Sequence, residues 1–336
     1  MKLTLPAFDD FHIHLRNDDR MPIATSRLRM GGVVRGIVMP NIVPKSVDDA
    51  TDATAYVGRL KEIEPDFTYC AAIKLTPQTT EQIIIDAVNS PDVLIGKQYP
   101  AGVTTNSENG VTDISAMYEV YGWMEKYGLP LSLHGEVPKT PVLDAEHAFL
   151  PILRQLNKDF PNLKIIMEHI STAKTVETVL DLSDKVAATI TPQHLVLTVN
   201  DILAGKLNVH NYCMPVAKTE DDRQALIAAI KSGNPKFFFG SDSAPHYRTA
   251  KEAGQSSPGI FSTPVIAPLL TSIFAENDML DKLEHFTSKF GAEFYGLKRN
   301  TETITLSDDE PYTIPDEFEG IVPLCANKTI PWNLVK

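Results

Sequence analysis

The feature that most constrains this chain is an alternation. Short apolar runs rich in β-branched residues recur between longer segments of helical period. A strand repeats its side chains at period 2 and a helix at 3.6, so such alternation is the pattern of βα units around a parallel sheet. Eight strands are predicted: Asp10–His14, Gly36–Pro40, Phe67–Ile73, Val93–Lys97, Leu131–His134, Lys164–His169, Val186–Ile190 and Phe237–Gly240. Helices are predicted between them over Val47–Ile63, Thr79–Asn89, Ile114–Tyr127, Ala145–Asp159, Thr172–Leu182 and Asp221–Ser232. Several open on Thr, Ser or Asp followed by acidic residues, the side chains that satisfy the free N–H groups of a first turn.

A chain of 336 residues, 43% of them hydrophobic, can bury one large core. No repeat and no Gly/Ser linker interrupts the alternation, so the expected fold is α/β, a single (β/α)8 TIM barrel over residues 1–299. Residues 300–336 read as a short C-terminal extension, with Ser307–Pro311 as a turn and Tyr312–Ile314 as a short strand. The net charge of −12 would repel a phosphate backbone, which argues against nucleic acid and requires any anionic ligand to be caught by a local cationic group or metal. The opening residues lack the apolar run of a signal peptide, and no stretch reaches the ~20 apolar residues of a membrane span, so a soluble, cytoplasmic protein is expected. Cys70, Cys213 and Cys325 form no CxxC pair and are read as free thiols.

The strongest chemical signal is Asp10-Phe11-His12-Ile13-His14. Residues two apart on a strand share a face, so both imidazoles can reach one metal ion. His134 and His169 each end an apolar run, which is where a barrel presents its active-site residues, and the aromatic run Phe237-Phe238-Phe239 delivers Asp242 to the same rim. Lys97 also ends a strand. It reads either as an ion pair or anion contact, or, once its amine has added CO₂, as an anionic bridge between two cations.

Taken in order on successive strands, His12-x-His14, Lys97, His134, His169 and Asp242 resemble the amidohydrolase superfamily. The motifs Phe11-His12-Ile13-His14-Leu15-Arg16, Val38-Met39-Pro40-Asn41, Gly96-Lys97-Gln98-Tyr99-Pro100, Leu133-His134-Gly135-Glu136, Glu168-His169-Ile170-Ser171-Thr172 and Gly240-Ser241-Asp242-Ser243-Ala244-Pro245-His246 resemble the dihydroorotase family over nearly the whole chain. His12 lies too near the start for an N-terminal β-sandwich, which favours the short, stand-alone class. The resemblance implies a zinc-dependent hydrolase that interconverts dihydroorotate and N-carbamoyl aspartate in pyrimidine biosynthesis, and it suggests a homodimer. It also implies two zinc ions. One is held by His12, His14, Asp242 and carboxylated Lys97, the other by His134, His169 and the same carbamate, with a hydroxide between them and Asp242 as general base and acid.

For the substrate, the resemblance points to Arg16, Asn41 and His246 as contacts to a free carboxylate, to Thr104 and Thr105 on a loop over the site, and to backbone contacts near Met214 and Pro258. Pro258 has no N–H, so it cannot donate a hydrogen bond there. From the residues alone, Arg16 reads equally as a surface ion pair, Asn41 as a turn or cap, His246 as a loop imidazole, and the 104–105 segment as a solvated turn. His147 and His285 are expected on helices, and His194 and His210 in loops, with no part in metal binding. The alternatives are another cyclic-amide hydrolase of hydantoinase type and an inactive structural barrel.

Overall fold

A computed structural model describes residues 1–102 and 110–335. The chain opens with strand β1 (Lys2–Pro6) and then runs through eight parallel strands in sequential order. These are β2 (Phe8–Ile13), β3 (Val33–Val38), β4 (Thr68–Lys74), β5 (Val93–Gln98), β6 (Leu131–Leu133), β7 (Ile165–Met167), β8 (Val186–Ile190) and β9 (Phe237–Phe239). The ring closes just beyond the ends of its first and last members. The Asp242 N–H donates to the His12 carbonyl at 2.9 Å, and the His14 N–H donates to the Ser243 carbonyl at 3.0 Å. This is the single (β/α)8 barrel that the alternation predicts.

Side-chain parity sorts the core into layers. Ile95, Ile166 and Ala187 belong to one apolar cluster with Phe11, Ile37, Ala72 and Phe238, taking one residue from most strands. Two residues further along the same strands lie Lys97, Glu168 and Thr189, all buried, so a polar layer rests on an apolar one. Phe237 and Phe239 point the other way and join the larger cluster between strands and helices. Tyr295 and Phe290, from the last helix, Phe290–Tyr295, complete the interior cluster.

One irregularity decides where the histidines point. Against β3, residues Asp10 and Ile13 of β2 pair with Gly36 and Val38, so three steps on one strand match two on the other. This bulge lets Phe11 fill the apolar interior while His12 also reaches inward.

Other elements differ from the sequence-based expectation. Strand β1 pairs antiparallel with Thr303–Ser307, Lys2 opposite Ser307, and Asn333–Leu334 adds a third strand. The short strand expected over Tyr312–Ile314 covers Tyr312–Thr313 and pairs with Thr329–Ile330. The helix expected over Ile114–Tyr127 begins as a 3₁₀ turn, with the α-helix at Tyr118–Tyr127. Ile266–Glu276 is a further, almost wholly buried helix whose apolar sequence lacks a polar face to reveal its period. His194 is not in a loop: it lies in the short helix Pro192–Val196, 2% exposed, its ring between the Thr191 hydroxyl at 2.8 Å and the Pro215 carbonyl at 2.9 Å. Among the described residues no helix is long and apolar enough to cross a membrane.

The interior tolerates little change. A Cβ added at Gly291 would overlap the Phe11 ring, one residue from His12. Gly291→Ala is expected to destabilise the fold by roughly 1–3 kcal/mol through overpacking, read as a lower urea midpoint at unchanged slope.

Candidate active site at the barrel mouth

Strands β2, β5, β6, β7 and β9 deliver the six ligand-type residues, at or just past their C-terminal ends. The Asp242 carboxylate lies 3.1 Å from His14 Nε2 and 3.4 Å from His12 Nε2, and these three side chains form a group able to hold a metal ion. Beside them, His134 Nδ1 faces His169 Nε2 at 3.2 Å. Lys97, fully buried, has no hydrogen-bond partner for Nζ among the described residues; the amine lies 5.3 Å from the centre of the Tyr99 ring.

Two carboxylates that sequence reasoning left without a role orient these rings. Glu168, 1% exposed, accepts from Ser132 on β6 at 2.5 Å and from Thr189 on β8 at 2.7 Å, and one of its oxygens lies 2.9 Å from His12 Nδ1. Glu136 lies 2.6 Å from His134 Nε2. At His134 the carboxylate takes Nε2 and leaves Nδ1 facing His169, and at His12 the Glu168 oxygen lies beside Nδ1 while Nε2 faces Asp242. For Glu136 the signal was present in the sequence, two residues from the histidine it touches, whereas Glu168 adjoins His169 in sequence and reaches His12 instead.

Burial and charge set the protonation states. Burial pushes His14 down to about 4 and His169 well below the usual imidazole range, so both are neutral near pH 7. Burial also lowers Lys97, to about 8. For Asp242 burial acts upward, but the His14 hydrogen bond and the neighbouring imidazoles outweigh it and hold the carboxyl below its ordinary value. For Glu168 burial likewise acts upward, and the charges of His12 and Lys97 with the hydrogen bonds bring it to about 2.

Arg16, His169 and Asp242 are non-glycine residues with positive φ, at 63°, 40° and 47°. Such conformations cost about 1–3 kcal/mol each and persist only where the surroundings over-determine them. The surroundings do so here. The Arg16 carbonyl accepts from the Tyr56 hydroxyl at 2.8 Å, the His169 N–H donates to Thr189 Oγ1 at 2.7 Å, and the Asp242 N–H is held by the ring closure.

The pocket above is lined by Arg16, Asn41, Tyr99, Met214 and Pro258, together with the histidines and Asp242. Lys97 lies beneath this lining and His246 stands behind Arg16. The Arg16 guanidinium is 5% exposed and donates to the Pro245 carbonyl at 3.2 Å and to His246 Nε2 at 2.9 Å. Since a guanidinium only donates, His246 Nε2 accepts from Arg16, while Nδ1 lies 3.4 Å from Arg20 Nη1. Burial, then Arg16 and Arg20, hold this imidazole neutral. Arg20 is paired with Asp18, whereas no carboxylate among the described residues lies within ion-pair distance of Arg16. Thr104 and Thr105 lie outside the described residues.

The family model described as amidohydrolase matches residues 9–193. The dihydroorotase of Coxiella burnetii is 42% identical, with 99% of this chain and 98% of that protein covered. The structure of Saccharomyces cerevisiae dihydroorotase in complex with 5-fluoroorotic acid superposes with a TM-score of 0.93 at 35% identity, covering 99% and 98% of the two chains. A D-hydantoinase from Bacillus sp. AR9 reaches a TM-score of 0.79 at 14% identity, covering 99% and 83%, which is a likeness of fold alone. On this full-length similarity, the chain belongs to the dihydroorotase family of the amidohydrolases.

Proposed function

We propose that the barrel mouth is a dihydroorotase active site, which opens the cyclic amide of dihydroorotate by hydrolysis and closes N-carbamoyl aspartate in the reverse direction. The observation that carries this reading is the pairing of a metal-capable group with a buried arginine that has no carboxylate among the described residues within ion-pair distance. A hydantoin ring need not bear a carboxylate; dihydroorotate does, and a guanidinium can grip it with two parallel hydrogen bonds.

The donor set suits two divalent cations. Neutral His14 and His169, ionised Asp242 and a buried Lys97 amine with no hydrogen-bond partner among the described residues form a buried cluster of nitrogen and oxygen donors. On this reading His12, His14 and Asp242 would hold one zinc and His134 and His169 the other, with carboxylated Lys97 as a further ligand. Zinc bound there supplies a lowered pKa for water and polarisation of the scissile carbonyl.

The chain's own residues do the rest. Asp242, ionised at neutral pH, accepts the proton of the attacking water at a carboxylate oxygen and returns it to the departing ring nitrogen. Arg16 holds the substrate carboxylate, braced from behind by neutral His246, and Asn41 and the backbone near Met214 and Pro258 complete the orientation. Thr104 and Thr105 are assigned to a loop that closes over the bound substrate. The family resemblance also supports a cytoplasmic homodimer with a small-molecule substrate.

The test is a dihydroorotate ring-opening assay run beside metal analysis. Protein stripped of metal is expected to be inactive and zinc to restore it; zinc-loaded protein that leaves dihydroorotate untouched would sink the assignment. In the same assay Asp242→Ala should lower kcat by about 10²–10⁴-fold with the fold intact. Arg16→Ala should chiefly raise KM, and an unchanged KM would mean the carboxylate binds elsewhere.

The buried imidazoles also give the metal-free protein a pH dependence. His14 has a folded-state pKa near 4, below its ordinary 6.5, so the unfolded chain binds the extra proton between those values. Stability is therefore fully present above about pH 6.5 and is lost as pH falls towards 4, by roughly 1.4 kcal/mol per unit at most for this one group. Urea titrations of the metal-free protein at pH 7, 5.5 and 4.5 should show that loss, and His14→Gln should reduce it.

A further inference from the structure

The pocket wall opposite the metal ligands is made of two irregular segments, one carrying Met214 and the other Pro258 and Gly259. Neither belongs to a barrel strand. Both are tied to one side chain. Lys251, at the end of the short helix Arg248–Lys251, is 3% exposed. Its Nζ donates to the carbonyls of Tyr212 at 2.7 Å, Ser257 at 3.0 Å and Gly259 at 2.8 Å. An ammonium has three N–H donors and no acceptor, so every donor is used. The Gly259 N–H adds a bond to the same Tyr212 carbonyl at 3.0 Å.

A cation buried this deeply is costly unless its surroundings compensate it, and the partners found for it are carbonyls rather than a carboxylate. The knot holds Gly259 at φ 140°, where an added Cβ would lie 2.8 Å from the Ala244 carbonyl oxygen and 2.9 Å from His246 Cδ2. The Gly259 backbone thus lies close enough to the imidazole that braces Arg16 to leave no room for a side chain between them.

We propose that Lys251 is a positioning residue for substrate recognition: its ammonium knots Tyr212, Ser257 and Gly259 into one rigid wall that holds His246, and through it the Arg16 guanidinium, where the substrate carboxylate arrives. The proposal rests on the dihydroorotase reading above. Lysine suits the task because three carbonyls from two segments converge on one point, which a planar guanidinium cannot serve and the two N–H groups of a glutamine amide serve only in part.

The test compares Lys251→Met and Lys251→Gln with the unaltered, zinc-loaded enzyme in both reaction directions. For Lys251→Met, KM for dihydroorotate and for N-carbamoyl aspartate is expected to rise about tenfold or more, while kcat per zinc-loaded site stays within about threefold, the pattern of lost uniform binding. Lys251→Gln, keeping two donors, should fall between the two. Zinc content should not change, because no ligand residue contacts the knot. If Lys251→Met fails to fold, the glutamine variant alone decides: raised KM at near-normal kcat supports the proposal. Unchanged KM in the folded variants, or a fall in kcat with KM unchanged, overturns it and leaves Lys251 a purely structural residue. Unaltered enzyme inactive on dihydroorotate would instead overturn the functional reading on which the proposal rests.

Discussion

The Glu168 carboxylate, buried at the centre of the barrel, is the interaction on which the site depends. It projects from just past β7, takes hydrogen bonds from β6 and β8, and reaches across to His12 beyond the bulge in β2. A buried ionised carboxylate without partners would be prohibitively unfavourable. Here each oxygen has a donor from a different strand, so the group that would otherwise destabilise the interior fixes the relative positions of four strands. The same contact places Glu168 beside His12 Nδ1 and leaves Nε2 facing Asp242. Fold and site share one set of hydrogen bonds, and neither can shift without the other.

Rigidity at the rim follows from the same logic. Arg16, His169 and Asp242 lie just beyond strand ends, in backbone conformations that an isolated chain would leave. The barrel holds them there through Tyr56, Thr189 and the closing bonds between His12 and Asp242. Thr189 serves twice, donating to Glu168 through its hydroxyl and accepting the His169 N–H on the same oxygen. Strain at the mouth is therefore sustained by the polar layer directly beneath it.

Much of this was legible in the sequence because period and position are local properties. Eight apolar runs separated by helical segments define a barrel, and a histidine or aspartate at the end of such a run is delivered to its mouth whatever the loops do. What stayed hidden depends on contacts between distant residues. The bulge in β2 changes which side chains face inward without altering the residue pattern, so two-residue spacing pairs His12 with His14 but cannot say that Phe11 turns inward as well. The pairing of Lys2–Pro6 with Thr303–Ser307 joins segments about 300 residues apart, and neither has a signature of its own. Glu136 and Glu168 stood in motifs already noted, yet a carboxylate beside a histidine reads as a tie only when the ring nitrogen it occupies is known. For Pro258 the missing N–H raised doubt about a donated bond, while the structure puts the segment's importance in its carbonyls, which Lys251 gathers from either side.

The charge distribution reconciles a strongly acidic chain with an anionic substrate. The net charge of −12 belongs mostly to exposed groups, whose fields fade over about 10 Å at moderate salt. Arg16 is buried, and its pKa falls only to about 10, through burial first and then the neighbouring Arg20, so it stays charged at neutral pH. Asp18 engages Arg20 and leaves Arg16 with a carbonyl and a neutral imidazole. His246 matters here because it is held uncharged. A protonated ring would repel the guanidinium and have no lone pair to accept from it, whereas the neutral ring accepts one N–H and leaves the rest of the fork free. The pocket thus carries a fixed positive charge screened little by solvent, beside a group able to hold a metal ion, and a small carboxylate substrate meets attraction where the protein as a whole would repel it.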